Sequence, residues 1–159
     1  MPQRALHPSG RVRGRAGHAA ARRRVPPRRR PRGGRHLRAL QVGGPLGGFL
    51  APDQLDLPLL ASALDAAGVA LGHGGIIAVD DSVTAAQLLA HLWRFYASES
   101  CGACTPCREG TRRGAADPAA ASADTPLLEL MEVASLCPFG RGVPRAVRSL
   151  RRALGEDCG

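Results

Sequence analysis

At 159 residues the chain has room for one domain or two small ones. Its hydrophobic share of 44% is largely alanine, with Phe 3, Trp 1 and Tyr 1 as the only aromatics, so any core is small and gains from a metal staple. The formal charge of +9 belongs to a tail: lysine is absent, 13 of the 22 arginines lie in residues 1–40 without one acid, and residues 41–159 hold 9 arginines against 13 acids, a net charge of −4.

That distribution excludes a uniformly basic domain. The tail has no aromatic residue for base stacking and no nucleic-acid reader motif, so no specific nucleic-acid partner is expected. No run of 18 apolar residues exists to span a membrane, and no apolar stretch follows the basic start as in a secretory signal. The five cysteines are odd in number and clustered, which argues against a disulfide framework. A reducing, cytoplasmic setting, with at most a peripheral membrane association through a larger complex, keeps such thiols available for metal.

In chain order, residues 1–31 read as a disordered Arg-rich tail, since self-repulsion and proline leave nothing to pack. Binding of an anionic partner through this tail is a separate hypothesis. His36–Val42 is predicted to be a short strand ended by the turn Gly43-Gly44-Pro45. Asp56 and Pro58 are expected to start a helix carrying Leu59, Leu60 and Leu64 and stopping near Gly68. Ile76–Val79, fenced by Gly74-Gly75 and Asp80-Asp81, reads as a buried strand. No phosphate-cradling glycine motif is present. Ser82 is expected to cap a helix over about Thr84–Ala97, whose Leu88, Leu89, Leu92, Trp93, Phe95 and Tyr96 form a broad apolar face. That helix delivers the backbone to Cys101.

Cys101, Cys104 and Cys107 stand at C-x2-C-x2-C spacing, and Cys137, followed by Pro138, is available as a fourth thiol. This is the ligand run of a bacterial ferredoxin-type [4Fe–4S] cluster. Gly102 and Ala103 let the backbone curl closely and offer N–H groups to sulfur, and Pro106 stiffens the turn. Arg108 is a candidate to offset the charge of a thiolate-ligated cluster. Zinc is the rival, although structural zinc favours two separated Cys or His pairs. Cys158 is read as spare. The histidines at 7, 18, 36, 73 and 91 hold no spacing relation to the cysteines, and no catalytic constellation stands out.

The phrase Ser100-Cys101-Gly102-x-Cys104-Thr105-Pro106-Cys107-Arg108-Glu109-Gly110-Thr111 resembles the cluster loop of the NADH-binding flavoprotein subunit of respiratory complex I. The same loop occurs in its relatives in NAD-dependent formate dehydrogenases and NAD-linked hydrogenases. Gln41–Pro45 and Gly74–Ser82 are similar to the β-grasp, soluble-ligand-binding segment that precedes the cluster domain in that family. The resemblance covers about residues 32–155. It implies an α+β architecture: a basic tail over 1–31, a partial β-grasp (ubiquitin-like) unit over 32–83, and a small helical bundle over 84–155 in which Cys101, Cys104, Cys107 and Cys137 bind a [4Fe–4S] cluster.

Three departures accompany it. The family's flavin- and NADH-binding domain has no counterpart here, so the resemblance places FMN and NAD on a partner chain. Only 29 residues separate Cys107 from Cys137, fewer than is usual in the family, and the lost length falls in Ala115–Asp124, where a continuous amphipathic helix is expected. The Arg-rich tail is the third. The reading is an electron-transfer module of an NADH dehydrogenase-type oxidoreductase, not active alone, with a flavin/NAD-binding subunit and other iron–sulfur subunits as partners. The alternatives are a noncatalytic structural or assembly fragment and a four-cysteine zinc module.

Overall fold

The computed structural model describes residues 35–155. The predicted disordered tail and Cys158 lie outside the described residues.

Among the described residues the sheet has three strands, β1 (Leu37–Val42), β2 (Gly48–Leu50) and β3 (Ile76–Asp80). Their order is β2-β1-β3, with both neighbours antiparallel to β1. Register sets Leu40 opposite Leu50 and Ala78, and Gln41 opposite Phe49 and Ile77. Successive strand residues face opposite sides, so Ala39, Phe49 and Val79 enter one core while Leu40, Val42 and Leu50 enter a second. Leu64 of the short helix α1 (Ala61–Ala66) and Val69 close the second core.

Three local expectations are corrected here. β3 is an edge strand whose only buried residue is Val79, and Ile77 is 44% exposed. The apolar run alone could not reveal that, among the described residues, β3 has a neighbour on one side only. Asp56 and Pro58 do not start a helix. Residues 55–59 instead run through turns and bends after a 3-10 turn at Pro52–Gln54, with Leu55, Leu57 and Leu59 packing against the second core, and α1 begins only after Leu60. Ser82 does not cap the long helix, because its hydroxyl and N–H both turn back to the Asp80 carboxylate. Thr84 caps it instead, in a reciprocal box with Gln87: the Gln87 N–H donates to Thr84 Oγ1 at 3.1 Å and the Thr84 N–H to Gln87 Oε1 at 3.0 Å.

Five helices follow the sheet. α2 (Ala85–Glu99) buries Ala85, Leu89, Leu92, Trp93 and Tyr96 on one stripe. Then come α3 (Thr105–Ala116), α4 (Pro118–Ala123), α5 (Thr125–Ala134) and α6 (Pro138–Leu154). The continuous helix expected over Ala115–Asp124 is broken at Asp117. Its side chain accepts from the Ala120 N–H at 3.0 Å, and Asp124 accepts from the Leu127 N–H at 3.0 Å. A proline sits in the first turn after each cap. Aspartate capping and first-turn proline both favour a new helix start over continuation.

The first core joins the sheet to these helices and takes residues from both sides of position 83, from Ala39 and Phe49 to Val147 and Leu154. Two polar contacts fasten the same seam. The Phe49 N–H donates to Ser149 Oγ at 3.0 Å, and the Tyr96 hydroxyl donates to the Pro45 carbonyl at 2.6 Å. Burial pushes the Tyr96 phenol well above its ordinary pKa, so it remains a donor. Arg145 reaches Asp65 at 3.6 Å from α6 to α1. Among the described residues no helix is long and apolar enough to cross a membrane.

Trp93 is fully buried at the centre, its indole N–H donating to Ser122 Oγ at 2.8 Å and its ring edge-on to Tyr96 at 5.8 Å. The ring lies against Gly114 of α3, where a β-carbon would overlap the six-membered part of the indole. Helix propensity favours alanine over glycine by about 1 kcal/mol, whereas overpacking a core costs ~1–3 kcal/mol. Gly114→Ala is therefore expected to destabilise the protein by up to about 2 kcal/mol in urea titration. A gain in stability would show that the Trp93 ring has room to yield.

Candidate metal centre

The cysteines are placed by the ends of three helices. α2 stops at Glu99, and Ser100 leaves it in an extended conformation (φ −65°, ψ 124°) that carries the chain to Cys101. Gly102 has φ +73°, a backbone state open to glycine at little cost. It turns the chain so that Cys104 becomes the N-cap of α3 and Cys107 lies in its first turn. Cys137 is the N-cap of α6. Both capping cysteines are extended, neither gives its helix a side-chain cap, and both helices have a proline in the first turn. Two helix N-termini, each bearing partial positive charge, thus begin at a sulfur. That end of a helix lowers the cost of a thiolate.

The four thiols differ in burial. Cys101 is exposed, Cys104 and Cys137 are half-buried, and Cys107 is buried. Burial is the main cause that pushes the Cys107 thiol up. The Ser100 hydroxyl, 3.4 Å from Cys107 Sγ, opposes it, and the charges of Cys104, Cys137 and Cys101 push it further up. All three other thiols are therefore within electrostatic range of Cys107. Cys104 is held below the ordinary thiol range, first by the Leu136 backbone N–H and then by that of Cys107, with a smaller part from the Ser135 hydroxyl. Amides aimed at sulfur are a means of stabilising a thiolate and of tuning a metal bound to it.

Arg108 has a structural task. Its guanidinium donates to the Gly102 carbonyl at 2.7 Å and lies 3.4 Å from Thr105 Oγ1, so it ties the first cysteine turn to α3. Thr111 donates to the Cys107 carbonyl at 2.8 Å. Arg112 is the main cause that holds the Glu109 carboxyl below its usual range. His73 is occupied elsewhere, its Nδ1 accepting from the Gly75 N–H at 3.0 Å. Among the described residues, no three His, Cys, Asp or Glu side chains converge closely enough to hold a single metal ion.

Two residues of this region carry no sequence-level signal. Gly140, in the first turn of α6, faces both Ser135 and Cys107: a β-carbon there would lie 2.6 Å from Ser135 Cβ and 3.0 Å from Cys107 Cβ. Ser135 is 1% exposed. The Cys137-Pro138-Phe139-Gly140 spelling contains the glycine, but only the packing of α6 against α3 explains it.

Fold and site together define a mixed helix-and-small-sheet protein in which Cys104 and Cys137 cap two helices and Cys107 lies in the first turn of one of them. Residues 87–158 match the family described as the NADH-ubiquinone oxidoreductase-F iron-sulfur binding region, and the homologues of the chain are F subunits of NADH-quinone oxidoreductases and subunits of NAD(P)-reducing hydrogenases. It is 42% identical over 79 residues to the F subunit of the NADH-quinone oxidoreductase of Escherichia coli (strain K12), covering 50% of this chain and 18% of that protein. It is 30% identical over 134 residues to the HndC subunit of the NADP-reducing hydrogenase of Solidesulfovibrio fructosivorans, covering 78% of this chain and 27% of the relative. Among solved structures, an NAD+-reducing [NiFe]-hydrogenase in the H2-reduced state is similar, with a TM-score of 0.64 and 33% identity over 77% of this chain and 22% of that one. The chain thus spans roughly a fifth to a quarter of the length of these relatives.

Proposed function

We propose that the chain is the iron–sulfur electron-transfer module of an NADH dehydrogenase-type oxidoreductase. In this reading Cys101, Cys104, Cys107 and Cys137 hold a [4Fe–4S] cluster. The observation that carries it is the match of residues 87–158 to the iron-sulfur binding region, supported by the placement of Cys104 and Cys107 at the start of α3 and of Cys137 at the start of α6. Four thiolates so placed repel one another, and a polycationic iron core is the kind of group that relieves them.

When bound, the cluster supplies one-electron chemistry. The chain's own residues orient and insulate it. The Leu136 and Cys107 amides address Cys104, the N-termini of α3 and α6 favour anionic sulfur, and Cys107 with its buried surround excludes water from the inner side. Exposed Cys101 leaves the outer side open toward a partner. FMN and NAD belong in this proposal to a partner chain, and further iron–sulfur subunits take the electrons onward. The setting is cytoplasmic, within a complex of the complex I, formate dehydrogenase or hydrogenase kind, and the proposed units are 32–83 and 84–155.

Anaerobic reconstitution with iron and sulfide tests the proposal. The expected result is four irons per chain with an EPR signal of a reduced cubane. Stoichiometric zinc and no such signal would overturn it.

A further inference from the structure

Ser135 sits between α5 and α6 with a hydroxyl that the protein encloses without a hydrogen-bond partner. Its backbone is held at both ends: the Ser135 N–H donates to the Met131 carbonyl at 3.3 Å, and the Ser135 carbonyl accepts from Arg141 Nε at 2.7 Å. The absent β-carbon of Gly140 leaves just the space that Ser135 Cβ and Oγ occupy, beside Cys107 Cβ. The hydroxyl is therefore packed in place and cannot swing out to water. Leaving a buried donor unsatisfied is costly, and such groups call for an explanation in an unseen partner. The site it borders is the cysteine centre: the gap at Gly140 touches both the Ser135 hydroxyl and Cys107 Cβ, and Cys137 follows two residues on.

We infer that Ser135 is a positioning residue of the metal centre, its O–H donating to a ligating sulfur when the cluster is bound. This rests on the cluster reading above. A donor to a ligating thiolate stabilises the more negative, reduced state and raises the reduction potential. Ser100 differs, because its oxygen already accepts from the Gly102 N–H at 3.4 Å while lying beside Cys107 Sγ. Ser100 shapes the cysteine turn, and Ser135 answers to the cluster.

Reconstituted wild type and Ser135→Ala are to be compared, each assayed first for iron and sulfide and then titrated by EPR at controlled potential. With equal cluster content, the variant is expected to show an about tenfold lower reduced-to-oxidised ratio at the wild-type midpoint, ~59 mV for a one-electron couple. Equal clusters with equal potentials would overturn the inference and leave the cluster reading standing. No cluster in the wild type would overturn both. Should the variant fail to hold a cluster, brief transfer of reduced wild type into D2O followed by electron–nuclear double resonance decides. A coupled, rapidly exchanging deuteron supports the hydroxyl donor, and its absence removes it.

Discussion

Cys107→Ala is expected to abolish cluster assembly while leaving the helices folded. Of the four thiols it is the buried one, at 4% exposure, and the other three act on it electrostatically. Alanine removes the inner anchor and leaves three thiols on the outer side, which lack the fourth bond of a cluster held by four thiolates. Reconstituted iron should fall at least about tenfold, since each lost ligand or its support costs roughly 10–100-fold in metal affinity. Far-UV circular dichroism should change little, because α3 is held in the core by Gly110, Thr111 and Gly114 as well as by Cys107. Iron and sulfide retained at wild-type levels would remove Cys107 from the ligand set.

The largest effect on folding stability is expected from Trp93→Ala. The indole is fully buried, stacks edge-on with Tyr96 and fills the notch made by Gly114. Truncating a buried tryptophan costs ~3–5 kcal/mol. The variant would also remove the donor from Ser122 Oγ, although that hydroxyl keeps its own bond to the Pro118 carbonyl at 2.5 Å. The lost burial therefore dominates over the lost hydrogen bond, which nets only about 1 kcal/mol. Urea unfolding should report the loss directly, and a change below about 1 kcal/mol would mean that the neighbouring side chains collapse into the space.

What the chain spells locally was readable where local forces decide. β1, the glycine turn after it and the apolar stripe of α2 are written in short-range pattern, and the structure keeps them. The cysteine loop was legible because thiolate spacing is itself chemistry. The local pattern misleads where two local solutions compete. Ser82 and Thr84 can both cap, and Asp80 decides by occupying Ser82. Asp56 and Pro58 spell a helix start, but the chain there runs through turns and bends while Leu55, Leu57 and Leu59 pack against the second core. Ser135 and Gly140 were silent because their meaning arises from α6 lying against α3 and the start of α6 lying beside Cys107. No window along the sequence contains that juxtaposition.

The corners at Asp117 and Asp124 bear on how ligand spacing is measured. Each aspartate ends one helix and begins the next, so α3, α4 and α5 fold back without spending residues on loops. Path length between Cys107 and Cys137 is then counted in helical turns between fixed elbows. A short intermediate rod such as α4 can be trimmed while the endpoints keep their neighbourhood. The 29 intervening residues are thus a poor ruler for the gap between two sulfurs.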